Sequence, residues 1–600
     1  MASKVFSLVI IKPTHYDDDG YPIQWMTSAI PSNTLAALNG LAEDCRARGV
    51  LGPDVDLRIS TYDETNKRVH PHRIIKELKA SGGPSLVAMV GVQSNQFPRA
   101  MDLSRVFRAA GLQVAIGGFH ISGCISMLDE LPDDIKEAEA LGISLFAGEA
   151  EEERLDEVLC DAQAGTLKSL YNWMDDLPTI AGEPIPILPA QHINRTAGSH
   201  SSFDLGRGCP FQCSFCTIIN VQGRKSRFRT PDDLEKIIRE NYAQGINRFF
   251  ITDDNFARNK DWEAFVDRLI ELRHGEKMNI KFVIQVDTLC HRIPNFIPKC
   301  RKAGVTRVFI GLENINPDNL AAANKKQNRI VEYREMLQEW KRYKAITYAG
   351  YILGFPGDTY ESIMRDIEII KRELPLDLLE FFYLTPLPGS ADHKTLLAKG
   401  IWMDPDMNKY DLNHRCSHHE KMSDDEWDRA YRDAWTAYYS TEHMATIMRR
   451  NGATRCSVGN ILWLMIWFAG CVQIEGVHPL EGGFFRRKFR RDRRPGLPVE
   501  QVWSFYPKYW AGLLANQVRW LAMLGRVYPA YRAIKRDPDK LAYMDMALKP
   551  VDEDHLDDLE MIAATRGGET ALAKTRHDKA IRDAARAKAG EPRKKVSSVG

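Results

Sequence analysis

The chain has 600 residues, of which 44% are hydrophobic and 27% are charged. Because one hydrophobic core stops growing at roughly 250–300 residues, this length predicts about two or three domains. The 81 basic and 80 acidic side chains nearly cancel, so no global field favours a nucleic-acid partner. The 11 cysteines are too sparse for a disulfide scaffold and indicate a reducing, cytoplasmic location.

The apolar runs of the sequence are short. The first, Val5 to Ile11, follows no charged leader and predicts a buried strand rather than a secretory signal. The longest later run, Ile461 to Val472, has 12 residues, whereas a membrane-spanning helix needs about 20. We therefore expect no transmembrane segment.

Residues 1–180 alternate short apolar runs with helical patterns, which predicts an α/β domain with a parallel sheet. Clear strands are Ser85 to Val92 and Gln113 to Gly117. Gly117 and Gly118 end the second strand, where the missing side chains let a ligand approach the backbone. The pattern predicts a ligand-binding edge at this end of the sheet.

A linker and a second βα series follow. Four prolines between residues 178 and 189 exclude a helix or a central strand and predict a linker over residues 181–200. Residues 201–405 then repeat the strand–helix pattern about six times, which predicts a partial (β/α)6 TIM-like barrel. Its expected strands are Arg248 to Thr252, Lys281 to Val286, Arg307 to Leu312, Ala349 to Leu353 and Leu379 to Leu384.

Beyond the barrel, Trp, Tyr, Leu and Met recur at helical spacing, as in Trp427 to Tyr439 and Val502 to Leu524. This spacing predicts a mainly helical region over residues 406–560. Residues 561–600 are basic and contain few large apolar side chains. Such a composition does not offset the ordering entropy, so we expect a frayed helix or a disordered tail.

Three cysteines stand close together in the segment Gly206-Arg207-Gly208-Cys209-Pro210-Phe211-Gln212-Cys213-Ser214-Phe215-Cys216. A [4Fe–4S] cluster uses one thiolate per iron, so the C-x3-C-x2-C spacing would leave one iron open to another ligand. Zinc would require a fourth Cys or His nearby, and a redox dithiol would need only two cysteines. An iron–sulfur cluster therefore fits the spacing best.

This spacing, with an aromatic residue before the last cysteine, resembles the signature of the radical S-adenosylmethionine (SAM) superfamily. The resemblance implies that Cys209, Cys213 and Cys216 hold the cluster and that the open iron binds the amino and carboxylate groups of SAM. One electron from the cluster would cleave SAM and yield a 5′-deoxyadenosyl radical. A donor such as flavodoxin or ferredoxin would supply that electron.

Segments at the ends of the expected barrel strands resemble the SAM-binding segments of that superfamily. The resemblance implies that Asp254 binds the SAM amino group, Gln285 the carboxylate and Glu313 the ribose hydroxyls. Gly354 would offer backbone to adenine, and Phe215 of the cysteine motif would also contact SAM. No residue that acts on the substrate is recognisable.

The order of the segments resembles the subgroup that joins an N-terminal cobalamin-binding domain to a radical SAM barrel. Thr385-Pro386-Leu387-Pro388-Gly389-Ser390 is similar to the phrase that ends the barrel in this subgroup. The resemblance implies a flavodoxin-like Rossmann-type fold for the N-terminal domain. Two strand-end phrases would contact the cobalamin, and they contribute Gly117, Gly118, His120 and Gly148.

One departure from this subgroup concerns the cobalt ligand. The Asp-x-His-x-x-Gly phrase of many cobalamin enzymes is missing, since Gln93 to Pro98 occupies the expected loop. Cobalamin would then bind base-off, without a protein histidine on its lower face. Some relatives keep this domain without the cofactor, so a cofactor-free domain remains an alternative.

Seven basic residues and one Asp lie between residues 486 and 494, with phenylalanines interleaved. One interpretation of residues 461–494 is a surface that makes peripheral contact with an anionic membrane, which would suit a lipid-like substrate. Aromatic residues among arginines also suit nucleic acid. A solvated basic loop beside a buried helix explains the pattern equally well.

These features predict an enzyme that uses SAM and cobalamin to methylate an unactivated carbon of a small or lipid-like metabolite. A radical SAM cyclase or oxidoreductase without methyl transfer remains an alternative. A tRNA-modifying methylthiotransferase is another, but its N-terminal domain brings three further cluster cysteines, whereas Cys45, Cys124 and Cys160 are spread over an otherwise apolar sheet here. A cluster-binding sensor would not need Glu313 or the glycine-rich segment at Gly354.

Overall fold

The computed structural model describes residues 4–325, 327–550, 559–563 and 566–589. The strands of the N-terminal part are β1 (Lys4–Lys12), β2 (Gln24–Ser28), β3 (Val55–Asp63), β4 (Ser85–Met89), β5 (Gln113–Gly117), β6 (Ser144–Ala147) and β7 (Leu170–Asn172). Its helices are α1 (Asn33–Arg48), α2 (Pro71–Ser81), α3 (Phe97–Ala109), α4 (Phe119–Met127), α5 (Asp133–Ala140), α6 (Arg154–Ala164) and α7 (Ala190–Ile193).

Six of these strands form a parallel sheet in the order β3-β1-β4-β5-β6-β7. The chain changes direction across the sheet between β1 and β4, as in flavodoxin-like doubly wound folds, which confirms the expected fold class. Leu8 and Ile10 of β1 lie in one buried cluster, whereas Val9 and Ile11 lie in another. Both faces of β1 are therefore covered, which explains its continuous apolar run.

A second parallel sheet forms the partial barrel. Its strands, with a small hairpin of β9 and β10, are β8 (His200–Phe203), β9 (Gly206–Arg207), β10 (Arg227–Phe228), β11 (Arg248–Ile251), β12 (Lys281–Val286), β13 (Val305–Glu313), β14 (Ile346–Leu353) and β15 (Leu378–Tyr383). The helices are α8 (Ile218–Val221), α9 (Pro231–Ala243), α10 (Trp262–Ile270), α11 (Phe296–Ala303), α12 (Pro317–Ala322), α13 (Tyr333–Arg342), α14 (Tyr360–Glu373) and α15 (Ala391–Ala398).

The barrel strands pair in chain order, β8-β11-β12-β13-β14-β15, and all pairs are parallel. This order is the one that successive right-handed βα units produce. It confirms the expected partial (β/α)6 barrel and brings the carboxyl ends of six strands to one edge, where barrel enzymes build their sites.

The C-terminal region is mainly helical, as expected. Its elements are α16 (Asp424–Tyr438), α17 (Thr441–Ala453), α18 (Val458–Gly470), β16 (Gly483–Arg487), α19 (Val502–Arg536), α20 (Glu560–Ala563) and α21 (Arg566–Ala589). Strand β16 pairs antiparallel with β2, so this region returns to the N-terminal part. Gly483 permits that pairing, because a Cβ there would lie 2.0 Å from the Trp25 ring.

Two stretches of the C-terminal region concern expectations from the sequence, the absence of a transmembrane segment and the frayed or disordered tail. Val458–Glu475 is long and apolar enough to cross a membrane by length and composition, yet 44% of this stretch is buried and Ile461 and Met465 belong to the barrel's core cluster. In the expected basic tail, residues 566–589 form α21, in which alanine-rich sequence favours helix. The part of that prediction from residue 590 onward lies outside the described residues.

Candidate active site

The three clustered cysteines lie on one loop between β9 and α8, at the carboxyl edge of the barrel sheet. The Cys209 N–H donates to the Gly223 carbonyl at 3.2 Å, and the Cys216 N–H donates to the Cys213 carbonyl at 3.2 Å. All three thiols are free, and Cys213 is buried. The backbone is therefore held in place while the three sulfur atoms have no covalent partner.

Burial raises the pKa of the Cys209 thiol, and burial raises that of Cys216 to about 12. Deprotonation at neutral pH would therefore need nearby positive charge, which iron supplies because metal ligation favours the thiolate. The remaining eight cysteines lie on other segments of the chain. Three soft sulfur donors on one loop fit a [4Fe–4S] cluster with one open iron.

Arg207 joins the cysteine loop to the N-terminal sheet. Its guanidinium bonds Glu149 and Glu151, each at 2.6 Å, and Asp204 at 2.9 Å. Burial alone would raise the pKa of Asp204, but Arg207 and Arg229 lower it to about 2. Asp204 is therefore ionised, and this buried ion network fixes the loop relative to the segment after β6.

The acidic pair after β11 lies beside the same loop. Asp254 Oδ2 accepts a hydrogen bond from the Gly208 N–H at 3.1 Å, and burial raises its pKa to about 7. Its charge raises the pKa of both Cys209 and Cys216, which places it near them. Asp253 instead faces inward, where it accepts from the Leu205 N–H at 2.6 Å. The structure thus brings the sequence-predicted Asp254 to the cysteine loop.

Glu313 ends β13 in the left-handed region, with φ of +63°. Its carboxylate forms an ion pair with Lys325, and Lys325 Nζ lies 5.8 Å from the centre of the Phe215 ring. Burial raises the pKa of the Cys209 thiol, and the positive charge of Lys325 offsets part of that rise. Lys325 therefore lies between Glu313 and Phe215 at the cysteine loop. The sequence analysis did not identify this lysine.

The glycine-rich segment after β14 forms a tight turn around Asp358. The N–H groups of Gly354 and Phe355 donate to Asp358 Oδ2 at 2.9 and 3.0 Å. Gly354 has φ of +103°, and a Cβ there would lie 2.0 Å from the Trp427 ring. The Phe355 ring is 6.5 Å from the Phe215 ring, so this turn also reaches the cysteine loop.

Gln285 lies one strand away, near the end of β12. Its Nε2 donates to the Asp253 carbonyl at 3.4 Å. Gln285 therefore belongs to the same edge of the barrel as the acidic pair.

A cavity of about 190 Å³ lies at the carboxyl edge of the N-terminal sheet. Its apolar wall comes from β1, β4 and β5, and its rim contains Gly117, Gly118 and Gly148. Arg207 of the cysteine loop and Val221 of α8 also line it. The cavity is therefore shared between the N-terminal sheet and the segment that carries the cysteines.

The pattern of the radical SAM superfamily matches residues 204–370, from just before the cysteine loop into α14. Residues 204–370 of this chain therefore carry a radical SAM domain. This radical SAM protein is therefore an enzyme whose chemistry uses a [4Fe–4S] cluster and SAM.

Curated relatives of this radical SAM enzyme include methyltransferases and a cyclase. It is 28% identical over 346 residues to the bacteriochlorophyllide d C-8(2)-methyltransferase of Chlorobaculum tepidum, which covers 54% of this chain and 72% of the relative. It is 26% identical over 296 residues to the hopanoid C-2 methylase of Rhodopseudomonas palustris, covering 48% and 53%. The anaerobic magnesium-protoporphyrin IX monomethyl ester cyclase of Cereibacter sphaeroides is 27% identical over 190 residues, covering 31% and 30%.

Solved radical SAM structures share the fold. The methyltransferase TsrM from Kitasatospora setae, solved with cobalamin and a [4Fe–4S] cluster, superposes with a TM-score of 0.54 at 15% identity and covers 86% of this chain and 100% of that one. The cobalamin-dependent enzyme OxsB, solved with aqua-cobalamin and SAM, gives 0.51 at 12% identity and covers 93% and 84%. At these identities the likeness shows a shared fold.

His120 of the radical SAM enzyme lies away from the cavity. Its Nδ1 is 3.2 Å from Ser94 Oγ and its Nε2 is 3.1 Å from Asp134 Oδ2, so both ring nitrogens have partners. It is not among the residues that line the cavity. Of the four residues predicted to contact cobalamin, the three glycines line the cavity and His120 stabilises the start of α4 instead.

Sequence reasoning also missed Arg207 as a link between the two sheets. Its position between two glycines, two residues before Cys209, was visible, and so were the two glutamates after β6. No local signal shows that these groups are bonded, because 56 residues separate Arg207 from Glu151.

Proposed function

We propose that this protein is a cobalamin-dependent radical SAM methyltransferase that acts on an unactivated carbon of a small or lipid-like molecule. The observation that carries the proposal is the cavity shared by the N-terminal sheet, Arg207 and α8. A group held there lies next to the loop that we assign to the cluster. A radical formed on the substrate and a methyl donor would then share one site.

The cavity suits part of a cobalamin rather than all of it. A volume of about 190 Å³ lies below the roughly 300–1,000 Å³ of pockets that enclose a drug-sized ligand, so the corrin ring would lie outside the cavity. The wall is apolar and includes Leu8, Leu86 and Ala115, and the glycines at the rim leave backbone accessible. We infer that the cavity takes the nucleotide base of a base-off cobalamin, which when bound supplies the methyl group.

The residues at the barrel edge have separate roles in this proposal. Cys209, Cys213 and Cys216 ligate the cluster. Asp254 accepts hydrogen bonds from the SAM amino group, and Gln285 donates to its carboxylate. Glu313 accepts hydrogen bonds from the ribose hydroxyls. The backbone at Gly354 contacts the adenine, and Phe215 packs beside the SAM.

Methyl transfer is better supported than the cyclase reaction. The methyltransferase of Chlorobaculum tepidum aligns over 346 residues, whereas the cyclase of Cereibacter sphaeroides aligns over 190. The two methylating relatives described above are named for bacteriochlorophyllide d and for hopanoids, which are large molecules with several rings. A substrate of that class fits the lipid-like alternative.

The methylthiotransferase alternative lacks a place for its second cluster. Cys45 belongs to the buried cluster on one face of the N-terminal sheet, with Leu8 and Ile10. Cys124 belongs to the cluster on the other face, with Val9 and Ile11. Cysteines on opposite faces of a sheet do not ligate one cluster.

The test is anaerobic reconstitution of the full chain with iron, sulfide and cobalamin, followed by product analysis with SAM and a candidate polycyclic substrate. A methyltransferase releases S-adenosylhomocysteine as well as 5′-deoxyadenosine, whereas a cyclase releases only the second. Ala88→Trp, which fills the cavity wall, should abolish corrinoid uptake and keep the iron. Ala398→Trp, at an exposed helix position, is the matched control. Release of 5′-deoxyadenosine alone by the corrinoid-loaded enzyme would contradict methyl transfer.

A further inference from the structure

Helix α19 exposes a continuous apolar stripe to solvent. Its members recur at steps of 3, 4 or 7 residues, which places them on one side of a helix. They are Trp503, Tyr506, Trp510, Leu514, Val518, Leu521 and Tyr528, with exposed fractions between 45% and 78%. Large apolar side chains in an uninterrupted row of this length are unusual on a surface that faces only water.

The stripe is separate from the face by which α19 packs on the protein. Phe505, Met523, Val527 and Ile534 are the buried residues of the helix. Met523 follows Leu521 by two residues, about 200° around the helix axis. The buried face contacts α17 and α18, so the stripe points away from the core.

The charge of α19 is of one sign. The 35 residues from Val502 to Arg536 include six basic side chains and no Asp or Glu. Arg532, Lys535 and Arg536 lie within about 60° of Trp503 around the helix axis, on the side of the stripe at its C-terminal end, whereas Lys508, Arg519 and Arg526 lie about 140–160° away from it. Of the six, only Lys508 has an acidic partner among the described residues, Glu500 at 3.3 Å.

The basic segment before α19 is occupied by contacts within the protein. Arg486 and Lys488 bond Asp17 at 2.9 and 2.8 Å, and Arg494 bonds Asp406 at 2.7 Å. These pairs dock the segment on the N-terminal part. Three of the seven basic side chains in residues 486–494 are thus paired with carboxylates, whereas five of the six on α19 have no acidic partner among the described residues.

We propose that α19 docks the enzyme in the plane of an anionic lipid bilayer, with its stripe in the headgroup boundary. Trp and Tyr prefer that boundary, and flanking Lys and Arg pair with anionic headgroups. A second copy of the chain is a less favourable partner for this surface, because the six basic side chains of one α19 would face the six of the other. Trp463 is also exposed, on α18, which contacts α19. The proposal does not depend on methyl transfer.

The test is flotation of the full-length, cluster-loaded enzyme with phosphatidylcholine vesicles that contain about one third phosphatidylglycerol. Wild type should float with these vesicles, float less with pure phosphatidylcholine, and be released by high salt. Leu514→Gln combined with Leu521→Gln should lower the partition coefficient about tenfold or more. Arg532→Glu combined with Arg536→Glu, which reverses two exposed charges on the side of the stripe, should remove the preference for the anionic vesicles.

Matched controls separate the stripe from surface change in general. Leu397→Gln alters a leucine on α15 that is 52% exposed, and Lys76→Glu reverses an exposed charge on α2; both should float like wild type. Quenching of wild-type tryptophan fluorescence by brominated lipids gives a readout that needs no variant. Failure of wild type to float with either vesicle would overturn the proposal. The proposal would also be overturned if the wild type formed a dimer and bound no vesicles while the double leucine variant was a monomer.

Discussion

Cys209, Cys213 and Cys216 are distinguished from the other cysteines because they are grouped on one loop. They share a loop with fixed backbone hydrogen bonds, whereas most of the others are buried singly in the core. Isolated buried thiols are inert packing groups. Thiols that are grouped and have charged neighbours are the ones suited to bind a metal or to react.

Changing all three loop cysteines to alanine should abolish the cluster absorbance at about 400 nm and all SAM cleavage, because each iron needs its own thiolate. Iron content and 5′-deoxyadenosine are the measurements. Cys160→Ala removes the exposed cysteine of α6 and should change neither. A triple variant that kept about four irons per chain would contradict the ligand assignment.

Glu313→Gln should weaken SAM binding by about 1–3 kcal/mol and leave the cluster intact, since an amide is a poorer acceptor for two hydroxyls than a carboxylate. Calorimetry with SAM measures the loss. Because Glu313 also pairs with Lys325, Lys325→Gln is the companion variant that removes the pair and keeps the carboxylate. An unchanged affinity of Glu313→Gln for SAM would show that Glu313 only forms the ion pair with Lys325 and does not bind SAM.

At the scale of elements, strand ends and helix starts decide where the site lies. The turn after β14 is fixed by α16, whose Trp427 fills the space that a side chain at Gly354 would need. The segment after β6 is fixed in the same way, since Gly148 has φ of +107° beside Trp173. Glycine at these two positions is therefore a packing requirement as well as a way to expose backbone.

Gly354→Ala should destabilise the enzyme by about 2–5 kcal/mol, because left-handed strain and overlap with Trp427 add. Gly400→Ala is the control: it also has a positive φ, of +64°, but open space around it. That variant should lose only about 1–2 kcal/mol. Denaturant unfolding measures both, and equal losses would show that the Trp427 contact is unimportant.

At the scale of the whole molecule, the two sheets are joined by charge. Arg207 satisfies three buried carboxylates, two of which follow β6. Asn220 of α8 adds a hydrogen bond of 2.8 Å to the Gly389 carbonyl at the end of the barrel, and Gly389 lies against Gly123 of α4. The cysteine loop is thus held between both domains.

Arg207→Met should cost about 3–5 kcal/mol, because it leaves the buried Glu151 without its ion-pair partner, although Glu149 and Asp204 keep Arg227 and Arg229. It should also reduce corrinoid uptake, since Arg207 lines the shared cavity. Arg48→Met breaks a comparable pair with Asp156 in which Arg48 is 41% exposed and should cost about 0–1 kcal/mol. Similar melting shifts for the two variants would show that the network does not hold the loop.

Cobalamin bound to this chain should show no histidine nitrogen coupling in the paramagnetic Co(II) state. The loop after β4 has no histidine between Gln93 and Pro98. His120 is bonded to Ser94 and Asp134, and His15 after β1 is 3.0 Å from Glu481. Electron paramagnetic resonance is the measurement. Nitrogen splitting from a histidine would overturn base-off binding, and no corrinoid uptake at all would favour the cofactor-free domain.

The sequence by itself determined the cysteine loop, the two βα series and the helical region, because these depend on local spacing and periodicity. Strand β12 was predicted at its observed bounds, Lys281 to Val286. The tertiary structure alone decided which groups meet. The pairing of β2 with β16, the bond of Arg207 to Glu149, and the exposed side of α19 all join residues far apart in the chain or depend on what covers a helix. Periodicity shows that a helix has an apolar side, but only packing shows whether that side is buried.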